Sequence, residues 1–126
     1  MDKMEERKRS MRTWYGRFVE IVVDRPLGSA HPKHPTLIYE RNYGCIKGVL
    51  GGDGEEQDVY ILDVDAPIVR CRAKIIGAVY RLNDEEDKLL AVADARTGDK
   101  KYSRDEISEM LAFQEKFFIT EIELAD

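Results

Sequence analysis

An acidic turn lies between two apolar stretches in residues 42–64, which read NYGCIKGVLGGDGEEQDVYILDV. The carboxylates of Asp53, Glu55 and Asp58 can converge on one side of this turn, which leads into a predicted strand. Crowded like charges repel one another, so the cluster is either open to water or built around cations. Hard oxygen ligands suit Mg²⁺ or Mn²⁺. This segment alone leaves both a solvated turn and a metal site open.

The composition sets the class of protein. The 126 residues are enough for one compact domain with a core, and 43% hydrophobic and 36% charged residues are typical of a soluble globular protein. A net charge of −5 argues against a nucleic-acid binder held by phosphate contacts. An anionic substrate must therefore meet a local basic group or a bound metal.

Cysteine usage and the N-terminus indicate a cytoplasmic protein without a membrane partner. Cys45 and Cys71 form no CxxC pair and are predicted to be reduced thiols, although a single disulfide stays open. No apolar run reaches the roughly 18 residues that span a bilayer. Residues 1–12 mix charges without an apolar stretch, so they form no signal peptide. We expect a flexible or weakly helical extension there and a single domain over residues 13–126.

Many short strands and one C-terminal helix are predicted. The strands lie at residues 14–24, 36–39, 44–50, 58–64, 68–82 and 89–93. Three prolines make residues 25–35 a stiff loop. Ser103 and Glu106 form a capping box, followed by apolar residues at helical spacing. This order predicts an α+β domain, mainly β: a small five-stranded OB-like closed barrel with a C-terminal helix.

A second acidic segment, residues 84–88, ends in Lys88 and also lies between two apolar strands. The two acidic segments either face each other across one mouth of the barrel or form separate exposed hairpin tips. Lys33 in the proline loop could hold a phosphate at low entropic cost, because the loop is rigid. The spacing of acidic residues excludes an EF-hand, and the sequence has neither a P-loop nor a GxSxG elbow.

Together these residues resemble the soluble inorganic pyrophosphatases of the first family, as a short bacterial variant. Asn42-Tyr43-Gly44 followed by Asp53-Gly54-Glu55-x-x-Asp58 is similar to that family's Asn-Tyr-Gly-Tyr-Ile and Asp-Gly-Asp-Pro-x-Asp motifs, with a matching gap. Asp24-x-Pro26 with Lys33 resembles its Glu-x-Pro with a following lysine. The similarity covers roughly residues 19–92.

The resemblance implies a diphosphatase that hydrolyses pyrophosphate to two phosphates with several Mg²⁺ ions and a metal-activated water, Mn²⁺ being the alternative metal. It also implies a homo-oligomer. The metal ligands would be Asp53, Glu55, Asp58, Asp84 and Asp87. The catalytic residues would be Glu55, Asp58 and Tyr43. Substrate contacts would come from Lys33, Tyr43, Lys88, Arg25 and Arg41, and outer-shell carboxylates from Asp24 and Glu86.

Three of the chain's departures from the family pattern bear directly on the site. Glu55 is one methylene longer than the usual aspartate, and the family's arginine before Asn42 has no clear match, so Arg25 or Arg41 would replace it. The C-terminal helix should carry a Tyr-Lys pair, where this chain has Lys116-Phe117-Phe118. The alternative is therefore a degenerate module that binds a phosphorylated ligand or partner without turnover. A third reading, an oligonucleotide-binding barrel, is disfavoured by the net charge.

Overall fold

The computed structural model describes residues 2–51, 54–93 and 101–125 of the chain. Within these described residues, two helices and six strands follow one another along the sequence. They are α1 (Lys3–Arg12), β1 (Phe18–Arg25), β2 (Asn42–Leu50), β3 (Glu56–Ile61), β4 (Arg70–Arg81), β5 (Asp87–Val92), α2 (Arg104–Glu115) and β6 (Thr120–Leu124).

Five of the strands close into a barrel. The order is β1-β2-β3-β5-β4, and β1 also pairs with β4, which joins the two edges. The β3–β5 pair is parallel, whereas the other neighbours are antiparallel. Closure gives hydrogen-bond partners to the backbone N–H and C=O groups that an open sheet would leave unpaired at its edges. The predicted α+β fold with a five-stranded OB-like barrel is confirmed.

Close approach of β1 and β2 depends on Gly44. A Cβ at this position would lie 2.1 Å from the backbone oxygen of Val22, so no other residue fits without moving the backbone. Val23 is the register partner of Gly44 across the strand pair, and the register shifts between Val23 and Arg25. This irregularity lies at the end of β1 where the proline loop begins.

Two hydrophobic clusters lie on opposite faces of the sheet. One draws side chains from all five barrel strands, including Ile21, Ile61 and Ile75, and therefore fills the barrel. The other includes Ile107 and Leu111 of α2 and packs the helix against the outside of the barrel. Alternate residues of β3 and β5 join different clusters because successive strand residues point to opposite faces.

The N-terminal segment, for which we expected a flexible or weakly helical extension, forms a helix. Residues 3–12 form α1, whose N-cap Asp2 accepts a hydrogen bond from the backbone of Glu5. Met11 is buried against the barrel core, and Arg7 is paired with Asp87 of β5. These long-range contacts hold a segment whose own sequence gives a weak helical signal. The single domain over residues 13–126 stays a prediction.

The other predicted elements have mixed outcomes. The helix that begins after Ser103 is confirmed, with both hydrogen bonds of its capping box present. The strand predicted at residues 36–39 is wrong, because only an isolated bridge between Ala30 and Ile38 forms there. Strand β6 was not predicted; it pairs with β4 outside the barrel. In the part of the chain that the structure describes, no helix is long and apolar enough to cross a membrane.

Candidate active site

A cavity of about 970 Å³ opens between the proline loop, the barrel and the end of α2. This volume lies within the range of small-molecule sites. Its lining mixes charged side chains with aromatic and apolar ones. Residues 24, 25, 31–34, 36–38, 40, 43, 58, 81, 86, 88, 113, 114 and 116–118 contribute to the wall.

Lys88 is the most buried cation of the cavity wall, with 2% of its side chain exposed. Its Nζ donates to Asp58 Oδ2 at 2.6 Å and to Glu86 Oε2 at 3.1 Å. The parallel pairing of Val59 with Leu89 places Asp58 and Lys88 side by side on neighbouring strands. A buried lysine needs such partners, because an unpaired charge is strongly disfavoured away from water.

Tyr43 lies beside this pair and stays protonated. It is buried, and Lys88 Nζ lies 5.5 Å from the centre of its ring. Burial first, and then the negative charge of Asp58, raise the pKa of Tyr43 well above its usual value. The hydroxyl is therefore a neutral hydrogen-bond donor, also toward the Asp58 carboxylate.

Arg81 at the end of β4 forms a second buried ionic group next to Lys88. Its Nε and Nη2 donate to the two oxygens of Glu115 at 2.9 and 2.7 Å. Its Nη1 donates to Glu86 Oε2 at 2.9 Å, and its guanidinium lies 3.7 Å from the centre of the Phe118 ring. Burial is the largest single effect and lowers the pKa of Arg81, but the hydrogen bonds to Glu115 and the negative charge of Glu115 act together to raise the pKa overall.

Hydrogen bonds continue from Glu115 across the back of the cavity. Tyr60 donates its hydroxyl proton to Glu115 and accepts a hydrogen bond from Gln114. Gln114 in turn accepts from Tyr39, whose hydroxyl accepts from Arg25. Among the described residues every buried side-chain nitrogen and oxygen has a hydrogen-bond partner. The wall is thus a single polar network with a fixed arrangement.

The proline loop forms the opposite wall. The Gly28 amide donates to the Tyr39 carbonyl at 2.7 Å, and the Tyr39 amide donates to the Ser29 carbonyl at 2.9 Å. The His31 amide donates to the Leu37 carbonyl at 2.9 Å. These bonds tie the two sides of the loop together. Lys33 is exposed at its tip and lines the cavity. The loop therefore presents an exposed cationic side chain on a hydrogen-bonded backbone.

The structure brings together more than half of the residues that the sequence analysis selected. They surround the cavity from β1, the proline loop, β2, β3, the turn before β5 and β5 itself. These residues are Asp24, Arg25, Lys33, Tyr43, Asp58, Glu86 and Lys88.

Three other selected residues do not line this cavity, and their predicted roles stay predictions. Asp87 accepts two hydrogen bonds from Arg7 of α1, because it points to the opposite face of β5 from Lys88. Asp84 contacts Arg81 at 3.4 Å. Arg41 pairs with Asp65 at 2.8 Å.

The acidic turn itself is described only in part. Glu55 is exposed and does not line the cavity; its carbonyl accepts a hydrogen bond from Gly51. Asp53 lies outside the described residues, so its predicted role as a metal ligand stays a prediction. Asp58 is the residue of this turn that reaches the cavity wall.

Comparison with known proteins identifies the family. The profile of the inorganic pyrophosphatases matches residues 2–124. The chain belongs to the inorganic pyrophosphatase family. An inorganic pyrophosphatase of Corynebacterium efficiens is 30% identical over 122 residues, covering 80% of this chain and 77% of that protein. One of Ureaplasma parvum is 37% identical over 79 residues, but the match spans only 40% of that relative's length.

Solved structures of family members share the fold. The crystal structure of inorganic pyrophosphatase from Ehrlichia chaffeensis superposes with a TM-score of 0.69 at 17% identity, covering 87% of both chains. The structure from Coxiella burnetii gives 0.65 at 17% identity, covering 89% of this chain and 88% of that one. At these identities the structural similarity shows the fold alone. The function therefore has to be inferred from the residues of this chain.

Membership of the inorganic pyrophosphatase family implies a divalent metal cofactor. Within residues 2–51, 54–93 and 101–125, no group of three or more His, Cys, Asp or Glu is arranged to hold a metal ion. Asp58 and Glu86 are both carboxylates of the cavity wall, and each already contacts Lys88. Mg²⁺ is commonly bound by one or two carboxylates together with water and substrate phosphates. Asp58 and Glu86 could therefore hold such an ion together with the substrate.

Sequence reasoning missed the second ionic group of this family member. Arg81 and Glu115 are both less than a tenth exposed, and 34 positions separate them. One signal was present: Arg81 follows a continuously apolar run in a central strand, and an arginine buried there requires an acidic partner. The identity of that partner depends on how α2 packs.

Proposed function

We propose that this chain hydrolyses inorganic pyrophosphate to two phosphates in the cavity beside Lys88. One observation carries the proposal: a buried lysine between two carboxylates, Asp58 and Glu86, lines a cavity of about 970 Å³ in a barrel of the inorganic pyrophosphatase family. Pyrophosphate is the substrate for which the relatives of this chain are named. The metal is Mg²⁺, with Mn²⁺ as the alternative, because the ligands on offer are carboxylate oxygens.

Three cations on separate elements would bind the phosphate oxygens. Lys88 comes from the barrel, Arg25 from the end of β1 and Lys33 from the proline loop, and all three line the cavity. The chain carries a net charge of −5, so this local positive charge is what draws a phosphate anion to the cavity. Tyr43 adds a neutral hydroxyl donor whose proton is retained.

Asp58 is the proposed acceptor for the proton of the attacking water. It lines the cavity and keeps its orientation through Lys88. The water oxygen forms a bond to one phosphorus, the bond from that phosphorus to the bridging oxygen breaks, and the second phosphate leaves with the bridging oxygen. Asp24, at the cavity edge, would act as an outer carboxylate. Positioning and electrostatics therefore supply most of the rate enhancement.

The divalent metal would be held by Asp58 and Glu86, together with Asp53 as the sequence predicts. When bound, it would offset phosphate charge and lower the pKa of a coordinated water. Asp84, Asp87 and Glu55 do not line this cavity, and their role as metal ligands stays a prediction from the sequence.

Phosphate release from pyrophosphate by the purified chain tests the proposal. We expect release with Mg²⁺ and none with EDTA. Calorimetric titration with pyrophosphate then separates the alternatives. Binding without release would favour the module that holds a phosphorylated ligand without turnover, and neither binding nor release would reject the assignment of the cavity.

We also infer a cytoplasmic protein that self-associates. Cys45 and Cys71 are free thiols, as expected for a reducing compartment. Self-association follows from the resemblance to the family alone, and light scattering on the purified chain measures it directly. A mass equal to that of one chain would contradict it.

A further inference from the structure

We propose that Arg81 is a positioning residue of the cavity, which fixes Glu86 against Lys88 and so presents the Lys88 ammonium to an anionic ligand. The inference rests on the proposed function, since it assumes that Lys88 binds phosphate oxygens. It assigns a role to a residue that the sequence motifs of the acidic turns do not include.

Neighbouring side chains fix the orientation of the Arg81 guanidinium. Only 4% of the Arg81 side chain is exposed, and 6% of the Glu115 side chain. Two parallel hydrogen bonds join them in a fork, and Phe118 covers one face of the guanidinium plane. Fork pairing defines direction as well as distance, which a single lysine contact does not.

Arg81 and Lys88 share one carboxylate oxygen of Glu86. Glu86 Oε2 accepts from Arg81 Nη1 at 2.9 Å and from Lys88 Nζ at 3.1 Å. About a third of the Glu86 side chain is exposed, so this carboxylate could otherwise turn toward water. Arg81 therefore keeps Glu86 in contact with Lys88, while Asp58 holds the ammonium from the other side at 2.6 Å.

The charges of this group also bear on the ligand. Two cations, Arg81 and Lys88, contact four carboxylates, those of Asp58, Asp84, Glu86 and Glu115. Loss of Arg81 alone would leave one cation among four carboxylates and would repel a phosphate ligand. Loss of Arg81 together with Glu115 keeps the balance, with one cation against three carboxylates. The double change therefore removes the positioning contact without changing the net charge of the group.

A purely structural role is the competing explanation, because the Arg81–Glu115 pair also joins β4 to α2. Removing one partner of a buried ion pair typically costs about 3–5 kcal/mol, whereas replacing both by apolar side chains is often neutral. The single variant Arg81→Met is thus expected to unfold at lower temperature. The double variant Arg81→Met/Glu115→Met should fold, and it separates stability from positioning.

The test is the binding of pyrophosphate in EDTA, measured by calorimetry on the wild type and the double variant. We expect the double variant to melt near the wild-type temperature but to bind pyrophosphate about tenfold more weakly, the loss of roughly one charge-assisted hydrogen bond. With Mg²⁺ present, KM should rise by a similar factor. The control is Arg12→Met/Glu123→Met, which removes a fork pair of the same geometry away from the cavity.

Three outcomes are decisive. Weaker binding by the folded double variant, with the control unchanged, supports a positioning role for Arg81. Equal binding by wild type and double variant overturns that role and leaves the proposed function intact. A wild type that neither binds nor hydrolyses pyrophosphate overturns both.

Discussion

Replacement of Lys88 by methionine separates the energetics of the site from those of the fold. Methionine has a similar length and no charge, so it fills the same space in the buried wall. The ammonium makes two hydrogen bonds to carboxylates, at 2.6 and 3.1 Å. Each hydrogen bond to a charged group contributes about 1.5–3 kcal/mol, so the variant loses roughly 3–6 kcal/mol of interaction.

Two effects offset this loss in the folded state. Burying an ammonium costs several kcal/mol of desolvation, which methionine avoids. Asp58 and Glu86 have 24% and 35% of their side chains exposed, so both carboxylates can turn to water once Lys88 is gone. We therefore expect the free energy of unfolding to change by less than about 2 kcal/mol, and the melting temperature by less than about 10 °C.

No comparable effect offsets the loss of the Lys88 ammonium in catalysis. A positioned donor to a charge that develops in the transition state is worth about 10²–10³ in kcat, or about 2.7–4 kcal/mol. Lys88→Met should therefore lower phosphate release from pyrophosphate by about a hundredfold at the least, with the fold verified by circular dichroism. Lys47→Met is the matched control, because Lys47 is an exposed lysine paired with Glu56 outside the cavity. Wild-type turnover by the folded Lys88→Met variant would refute the reasoning.

Three further predictions concern the fold. Ser103→Ala should cost about 1 kcal/mol of unfolding free energy in urea, because it removes the N-cap of α2, whereas Ser108→Ala on the exposed helix face should cost nothing. Gly44→Ala should lower stability by about 1–3 kcal/mol through the clash with Val22; an unshifted urea midpoint would contradict this. Burial raises the pKa of the Cys71 thiol from 9.0 to about 11, so its contribution to stability is complete below pH 9.0 and is lost as the pH rises through about 11. Stability of Cys71→Ser should therefore fall less over this window, as measured by urea unfolding.

Local sequence signals predicted much of the barrel. The strand predicted at residues 44–50 is β2, and the capping box of Ser103 begins α2 as expected. These signals work because alternation, turn residues and caps act over a few positions. The short strand at residues 36–39 failed because its backbone groups are used inside the proline loop, which leaves a single bridge.

Long-range packing was not predictable in the same way. The helix α1 is weakly amphipathic, and it is held by Arg7 on Asp87, 80 positions away. β6 has only five residues, and its pairing with β4 follows from the path of the chain after α2. Such contacts depend on tertiary geometry that no local pattern encodes.

The candidate site shows the same division. The motif residues Tyr43 and Asp58 both line the cavity, because fixed spacing on paired strands sets their position. Asp87 contacts Arg7 instead, because alternation along β5 puts it on the opposite face from Lys88, and its role as a metal ligand stays a prediction. Arg81 was missed, because its significance appears only when its buried partner on α2 is known.

The most direct test of the account is phosphate release from pyrophosphate with Mg²⁺ by the wild type beside Asp58→Asn. Asparagine keeps the shape of the side chain but cannot accept the proton of water as a carboxylate does. The account predicts turnover by the wild type and its loss in the folded variant. Equal turnover by the two proteins would remove Asp58 from the chemistry, and no turnover by either would contradict the proposed hydrolysis.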